Sequence, residues 1–108
     1  MSRFACPYLK GEVELTEERE RHIADRHPDL LPEHWDRVAE TLLDPDLVRR
    51  SARFGSAKLF SRWFTDVRRG KHIVVVVVGE PDTMERQWII TAYITTKLTE
   101  GEIEWRRD

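Results

Sequence analysis

The longest apolar run in the chain is Ile73-Val74-Val75-Val76-Val77-Val78, six β-branched residues bounded by His72 and Gly79. Restricted rotamers disfavour a helix there, and apolar side chains on both faces of the pleat predict a strand buried on both sides, in the middle of a sheet. The run is too short to cross a bilayer as a helix, and Gly79, Pro81 and Asp82 predict a turn after it. Exposed, it would invite aggregation, so neighbouring strands and a covering layer are expected elsewhere in the chain.

The rest of the pattern supplies them. Gly11 to Leu15 suits a short first strand, and Thr16 followed by Glu17, Glu18 and Glu20 suits a helix start, with a capping hydroxyl and acids against the helix dipole. That helix is expected to stop near Arg26 or His27, because the residue before Pro28 is pushed out of helical geometry. Between about Pro32 and Leu43, Trp35, Val38, Ala39, Leu42 and Leu43 fall on one helical face that should pack on the sheet. Asp44-Pro45-Asp46 ends it, and Leu47 to Ser51 reads as extended chain. Ala57 to Thr65 is expected as a strand, Arg68-Arg69-Gly70 as a turn, and the valine strand as the antiparallel partner of both Ala57 to Thr65 and Arg86 to Thr96. In the last of these, alternation puts Gln87, Ile89, Thr91, Tyr93 and Thr95 on one face, with Trp88, Ile90, Ala92 and Ile94 on a core face. Ile103 and Trp105 give the tail one strand-like apolar side. The expected architecture is α+β: N-terminal helices on a roughly four-stranded antiparallel sheet, one domain over residues 1–108.

Composition bounds this picture without changing it. The 108 residues are 40% hydrophobic and 35% charged, enough for a core without metal or disulfide staples. The single cysteine, Cys6, has no internal disulfide partner, and the segment Met1 to Pro7 lacks the apolar core of a signal peptide. A cytoplasmic location with no membrane partner is the expectation. Charge is more informative. Residues Lys10 to Asp46 carry five Lys or Arg against twelve Asp or Glu, hence −7, whereas Leu47 to His72 carry eight against one, hence +7, within a total of −2. Either the two segments neutralise one another across a packed interface, or the basic one presents an anion-binding surface on the sheet.

Two hydroxyls, Thr91 and Tyr93, share one face of the last long strand while their neighbours are apolar. The first helix offers His22, Arg26 and His27. His22 and Arg26 lie four apart on one face, and His27 lies four beyond Ile23 near the helix end. Histidine suits proton transfer and arginine clamps phosphate. Metal ligation is not expected: His22 and His27 are five apart, and Cys6, His34 and His72 have no ligand partners at metal-site spacing. A glycine-rich phosphate loop and a serine nucleophile elbow are also missing.

The order His22-Ile23-x-x-Arg26-His27-Pro28, Leu42-x-x-Pro45-Asp46-x-Val48, the valine strand and Ile90-Thr91-Ala92-Tyr93 resembles phage-associated nuclease-like domains grouped with the barnase, EndoU, colicin ribonuclease and RelE folds. The resemblance covers about residues 13 to 105 and rests on the order and spacing of short motifs. It implies metal-independent RNA cleavage without cofactor, in a toxin or phage-defence effector whose partners are RNA and an antitoxin or immunity protein. By position it makes His22 or His27 the acid/base histidine, Thr91 and Tyr93 the strand hydroxyls, and Arg62 a cation from a neighbouring strand. The chain's slight acidity departs from the basic character of such nucleases, though its local +7 segment can still meet a phosphate backbone. The alternative is a non-catalytic interaction domain of the same fold, its acidic helices binding a basic partner.

Overall fold

A computed structural model describes residues 1–53, 56–80 and 86–108. Seven strands form one sheet: β1 (Ser2–Cys6), β2 (Gly11–Leu15), β3 (Leu47–Arg50), β4 (Lys58–Phe64), β5 (Lys71–Gly79), β6 (Gln87–Thr95) and β7 (Glu102–Arg106), with helices α1 (Glu17–Arg26) and α2 (Trp35–Leu43). Their order across the sheet is β1-β2-β6-β5-β4-β3-β7. Neighbours are antiparallel except β2 and β6, which run parallel and meet at Glu14 and Trp88.

The expected α+β layout of N-terminal helices on a four-stranded antiparallel sheet is therefore corrected. The sheet is mixed and seven-stranded, and both helices come between β2 and β3 rather than ahead of the sheet. The additional strands have weak patterns. β1 buries only Phe4 and Cys6, β3 is four residues long, and β7 is an edge strand with mostly exposed side chains. The expected centre is present: β5 pairs antiparallel with β4 on one side and β6 on the other. The Arg68-Arg69-Gly70 turn joins β4 to β5, with positive φ at all three residues. The Pro81-Asp82 turn lies outside the described residues.

Each face of β5 has its own cover. Ile73, Val75 and Val77 join Phe60, Ile89 and Ala92 under Ile23 of α1 and Val38 and Leu42 of α2. Val74 and Val76 face the other way, with Leu59 and Ala57, against Ile90, Tyr93 and Leu98. A bulge opposite Val76 and Val77 inserts a residue into β6. The bulge corrects the expected alternation: Ile89 joins Ala92 on the helix face, while Trp88, Ile90, Thr91 and Tyr93 belong to the helix-free face.

α1 begins as its residues dictate, with the Thr16 hydroxyl accepting from the Arg19 N–H at 3.2 Å. It runs alongside β6 past the point where β2 stops pairing. Arg19 donates to the Ile90 carbonyl at 3.4 Å, and the His27 ring lies 6.1 Å from that of Tyr93. The spacing is consistent: eight helical residues advance roughly 12 Å and three strand residues about 10 Å, so the end of α1 keeps pace with Tyr93. At the opposite edge Glu104 ties β7 in, accepting from Lys58 at 2.8 Å and from the Tyr8 hydroxyl at 2.5 Å. Burial and the adjoining Glu104 carboxylate push the Tyr8 phenol up to about 12.

Candidate functional site

On the helix-free face, Tyr93 aligns with Val74 of β5, which aligns with Ser61 of β4, while Arg49 of β3 aligns with Leu59. Three interstrand gaps, roughly 14 Å, separate β6 from β3. Two long side chains close that distance, since Arg49 reaches over β4 and Tyr93 over β5 until guanidinium and phenol interact. Arg49 also donates to the Glu100 carbonyl, and the Ser51 hydroxyl donates to the Glu100 carboxylate at 3.0 Å. Beside them opens a cleft of about 180 Å³ whose walls include Arg53, Thr91, Tyr93 and Glu100.

The charge of Arg49 is poorly compensated. The residue is 4% exposed, yet among the described residues it forms no ion pair. Its Nε and the Oγ of the fully buried Ser61 have no hydrogen-bond partner there. Burial lowers the Arg49 pKa more than Tyr93 and Glu100 raise it. Burial also raises the Tyr93 phenol, against the pull of Arg49, and keeps it protonated at neutral pH. The His72 imidazole, on the same face, is lowered by burial and by Arg49 while Asp46 opposes them.

Buried charge that the fold itself does not balance is costly, and an orphaned buried donor costs about 1–3 kcal/mol. Groups perturbed by burial in this way cluster at functional sites. Arg49→Met tests this directly. A well-packed apolar residue in place of a poorly paired buried charge is commonly neutral or stabilising, so the melting temperature should hold or rise while affinity for a polyphosphate ligand falls. A drop in melting temperature would make Arg49 a structural residue instead.

Of the residues expected from sequence, Thr91 and Tyr93 line this cleft, and His27 stands outside its lining with its ring 6.1 Å from that of Tyr93. The others lie elsewhere. His22 is exposed on α1, in a shallow depression bounded by Glu18, Arg19, Arg21 and Asp25 of the same helix. Arg26 is exposed one helical turn on. Arg62 faces the helix layer, bonded to the Asp44 carbonyl at 2.9 Å and set over the Phe64 ring. Two ion pairs join the basic segment to the acidic one, Arg62 on Asp44 and Arg68 on Asp29, while Arg50 and Lys58 pair with Glu104 of β7. Among the described residues, Arg49, Arg53, Arg69 and Lys71 of the basic segment form no ion pair, and of these Arg49 is the buried one.

No family model, curated protein or solved structure matches the chain. Among the described residues, no group of three or more His, Cys, Asp or Glu is placed to hold a metal ion, and no helix is long and apolar enough to cross a membrane.

Proposed function

We propose that this protein is a metal-independent endoribonuclease-like domain that cleaves RNA on the helix-free face of its sheet. The observation that carries the reading is Arg49, a buried guanidinium without an ion pair among the described residues, bonded to Tyr93, which lines the adjoining cleft. A backbone phosphate supplies the absent counter-charge, and exposed Arg53 offers a second cation at the same wall. RNA brings its own nucleophile in the 2′-hydroxyl. The protein then needs a base for that proton, a donor for the leaving 5′-oxygen, and stabilisation of the phosphorane.

His27 is the base in this scheme. It caps α1 through its backbone N–H to the Ile23 carbonyl at 2.7 Å, which holds its ring beside Tyr93. As the 2′-oxygen bonds to phosphorus, its proton passes to the imidazole. The phosphorus to 5′-oxygen bond breaks, and the protonated Tyr93 hydroxyl donates to the departing oxygen. Arg49 and the Thr91 hydroxyl stabilise charge on the phosphorane. The products are a 2′,3′-cyclic phosphate and a free 5′-hydroxyl.

Two histidine substitutions separate this arrangement from its nearest rival. His27→Ala should lower cleavage about a hundredfold or more, the usual cost of losing a general base. His22→Ala, on the exposed side of α1, should leave the rate unchanged. The reverse order, measured on a labelled RNA under single-turnover conditions, would move the site onto the outer surface of the helix.

A further inference from the structure

Trp63 is 42% exposed, and it is exposed on the face that carries Tyr93 and Arg49. An open tryptophan is ordinarily mobile, but this one is fixed on two sides. The His72 ring meets it edge-on with centroids 4.9 Å apart, and Gly70 lies so close beneath it that a Cβ there would fall 2.5 Å from the indole. Gly70 has φ +104°, so glycine is required by conformation as well as by space. The backbone N–H of Trp63 is anchored to the Asp46 carboxylate at 2.8 Å. The indole is thus packed by His72 and Gly70, and among the described residues no ring or guanidinium stacks on its exposed surface.

The other tryptophans are occupied. Trp88, on the same face, has the Arg86 guanidinium over its ring at 5.8 Å, Trp105 packs against Tyr8, and Trp35 against Phe4. Trp63 aligns with His72 and Thr95, two positions along the strands from the level of Tyr93 and Val74 and two strands over. Sheet spacing puts their Cα atoms roughly 12 Å apart. One or two nucleotides of extended chain cover that distance. A phosphate held at Arg49 and Tyr93 thus leaves a neighbouring base within reach of the indole.

Building on the ribonuclease reading, we infer that Trp63 is the stacking platform for an unpaired nucleobase, which makes single-stranded RNA the substrate of the Tyr93 cleft. A base paired within a duplex cannot offer its flat face to a side chain, whereas an unstacked base can, with little regard to sequence. Cation and platform then divide the work: Arg49 and Arg53 hold the backbone, and Trp63 selects strands whose bases are free.

The test uses a fluorescent oligoribonucleotide of mixed sequence carrying 2′-O-methyl groups, so that it binds without being cut. It is offered single-stranded, as a duplex, and with abasic sugars in place of its bases. Wild-type protein should prefer the intact single strand to the duplex and to the abasic strand. Trp63→Leu should weaken single-strand binding roughly 5- to 150-fold, the range for losing one stacked base, and Trp63→Phe should restore most of it. The abasic strand should bind wild type and Trp63→Leu alike. Equal wild-type affinity for intact and abasic strands overturns the platform whether or not the variants fold, and so does undiminished binding by Trp63→Leu. Failure of the wild type to bind any of the three probes overturns the ribonuclease reading itself.

Discussion

Val75→Asp is expected to leave the protein without a cooperative fold. Val75 is fully buried at the centre of β5, between Phe60 of β4 and Ala92 of β6 and inside the helix-covered core. A carboxylate there would have no counter-charge within the apolar layer of Ile23, Val38 and Leu42. Whether it stays charged and unpaired or takes up a proton, the penalty is several kcal/mol, comparable with the roughly 5–15 kcal/mol that separates folded from unfolded domains. Far-ultraviolet circular dichroism during thermal melting reads this out. A sharp transition near that of the wild type would mean that the centre of the sheet is not where Val75 lies.

Tyr93→Phe is expected to cost as much activity as His27→Ala. It keeps the ring that packs near His27 and against the Val74 and Val76 layer, and it removes only the hydroxyl. Stability should fall by no more than about 1–3 kcal/mol, the cost of leaving the buried Arg49 without this partner, since the ring packing is kept. Under the proposed mechanism cleavage should fall about a hundredfold or more, because Tyr93 is its proton donor to the leaving oxygen. An unchanged rate together with a lowered melting temperature would make the Tyr93 hydroxyl a structural tie.

The centre of the fold is legible in the sequence because its composition leaves few choices. An unbroken β-branched run can hardly be anything but a central strand, and short links on either side force antiparallel neighbours. The sheet margins are not legible in the same way. β7 contributes Glu102-Ile103-Glu104-Trp105-Arg106, whose pairing with β3 breaks register between Val48 and Arg49, and an irregular edge leaves no clean alternation to read. The β6 bulge is invisible for the same reason: one inserted residue moves Ile89 to the opposite face from the one that strict alternation assigns.

The site divides along similar lines. Thr91 and Tyr93 stand out because they lie beyond the bulge, where regular alternation still holds. His27 is distinguishable from His22 by its four-residue step from Ile23, the one fully buried residue of α1, but only the course of that helix along β6 brings it to Tyr93. Arg49 is hidden by its neighbour Arg50. Two adjacent arginines on a strand must point to opposite faces, and which of them turns inward depends on the partner strands β4 and β7. Arg62 misleads for the converse reason: it occupies a strand beside β5, but its register with Ile73 turns it toward the helices.

The central claim is that this face of the sheet cuts RNA by 2′-hydroxyl attack without a metal ion, and product chemistry tests it most directly. Purified wild-type protein and Tyr93→Phe are incubated with mixed single-stranded RNA, with and without EDTA, and the new ends are analysed by mass spectrometry. The account predicts fragments ending in 2′,3′-cyclic phosphate opposite 5′-hydroxyls, formed equally with chelator present and nearly lost in Tyr93→Phe. Fragments bearing 5′-phosphates that disappear with EDTA, or RNA left intact by the wild type, would contradict it.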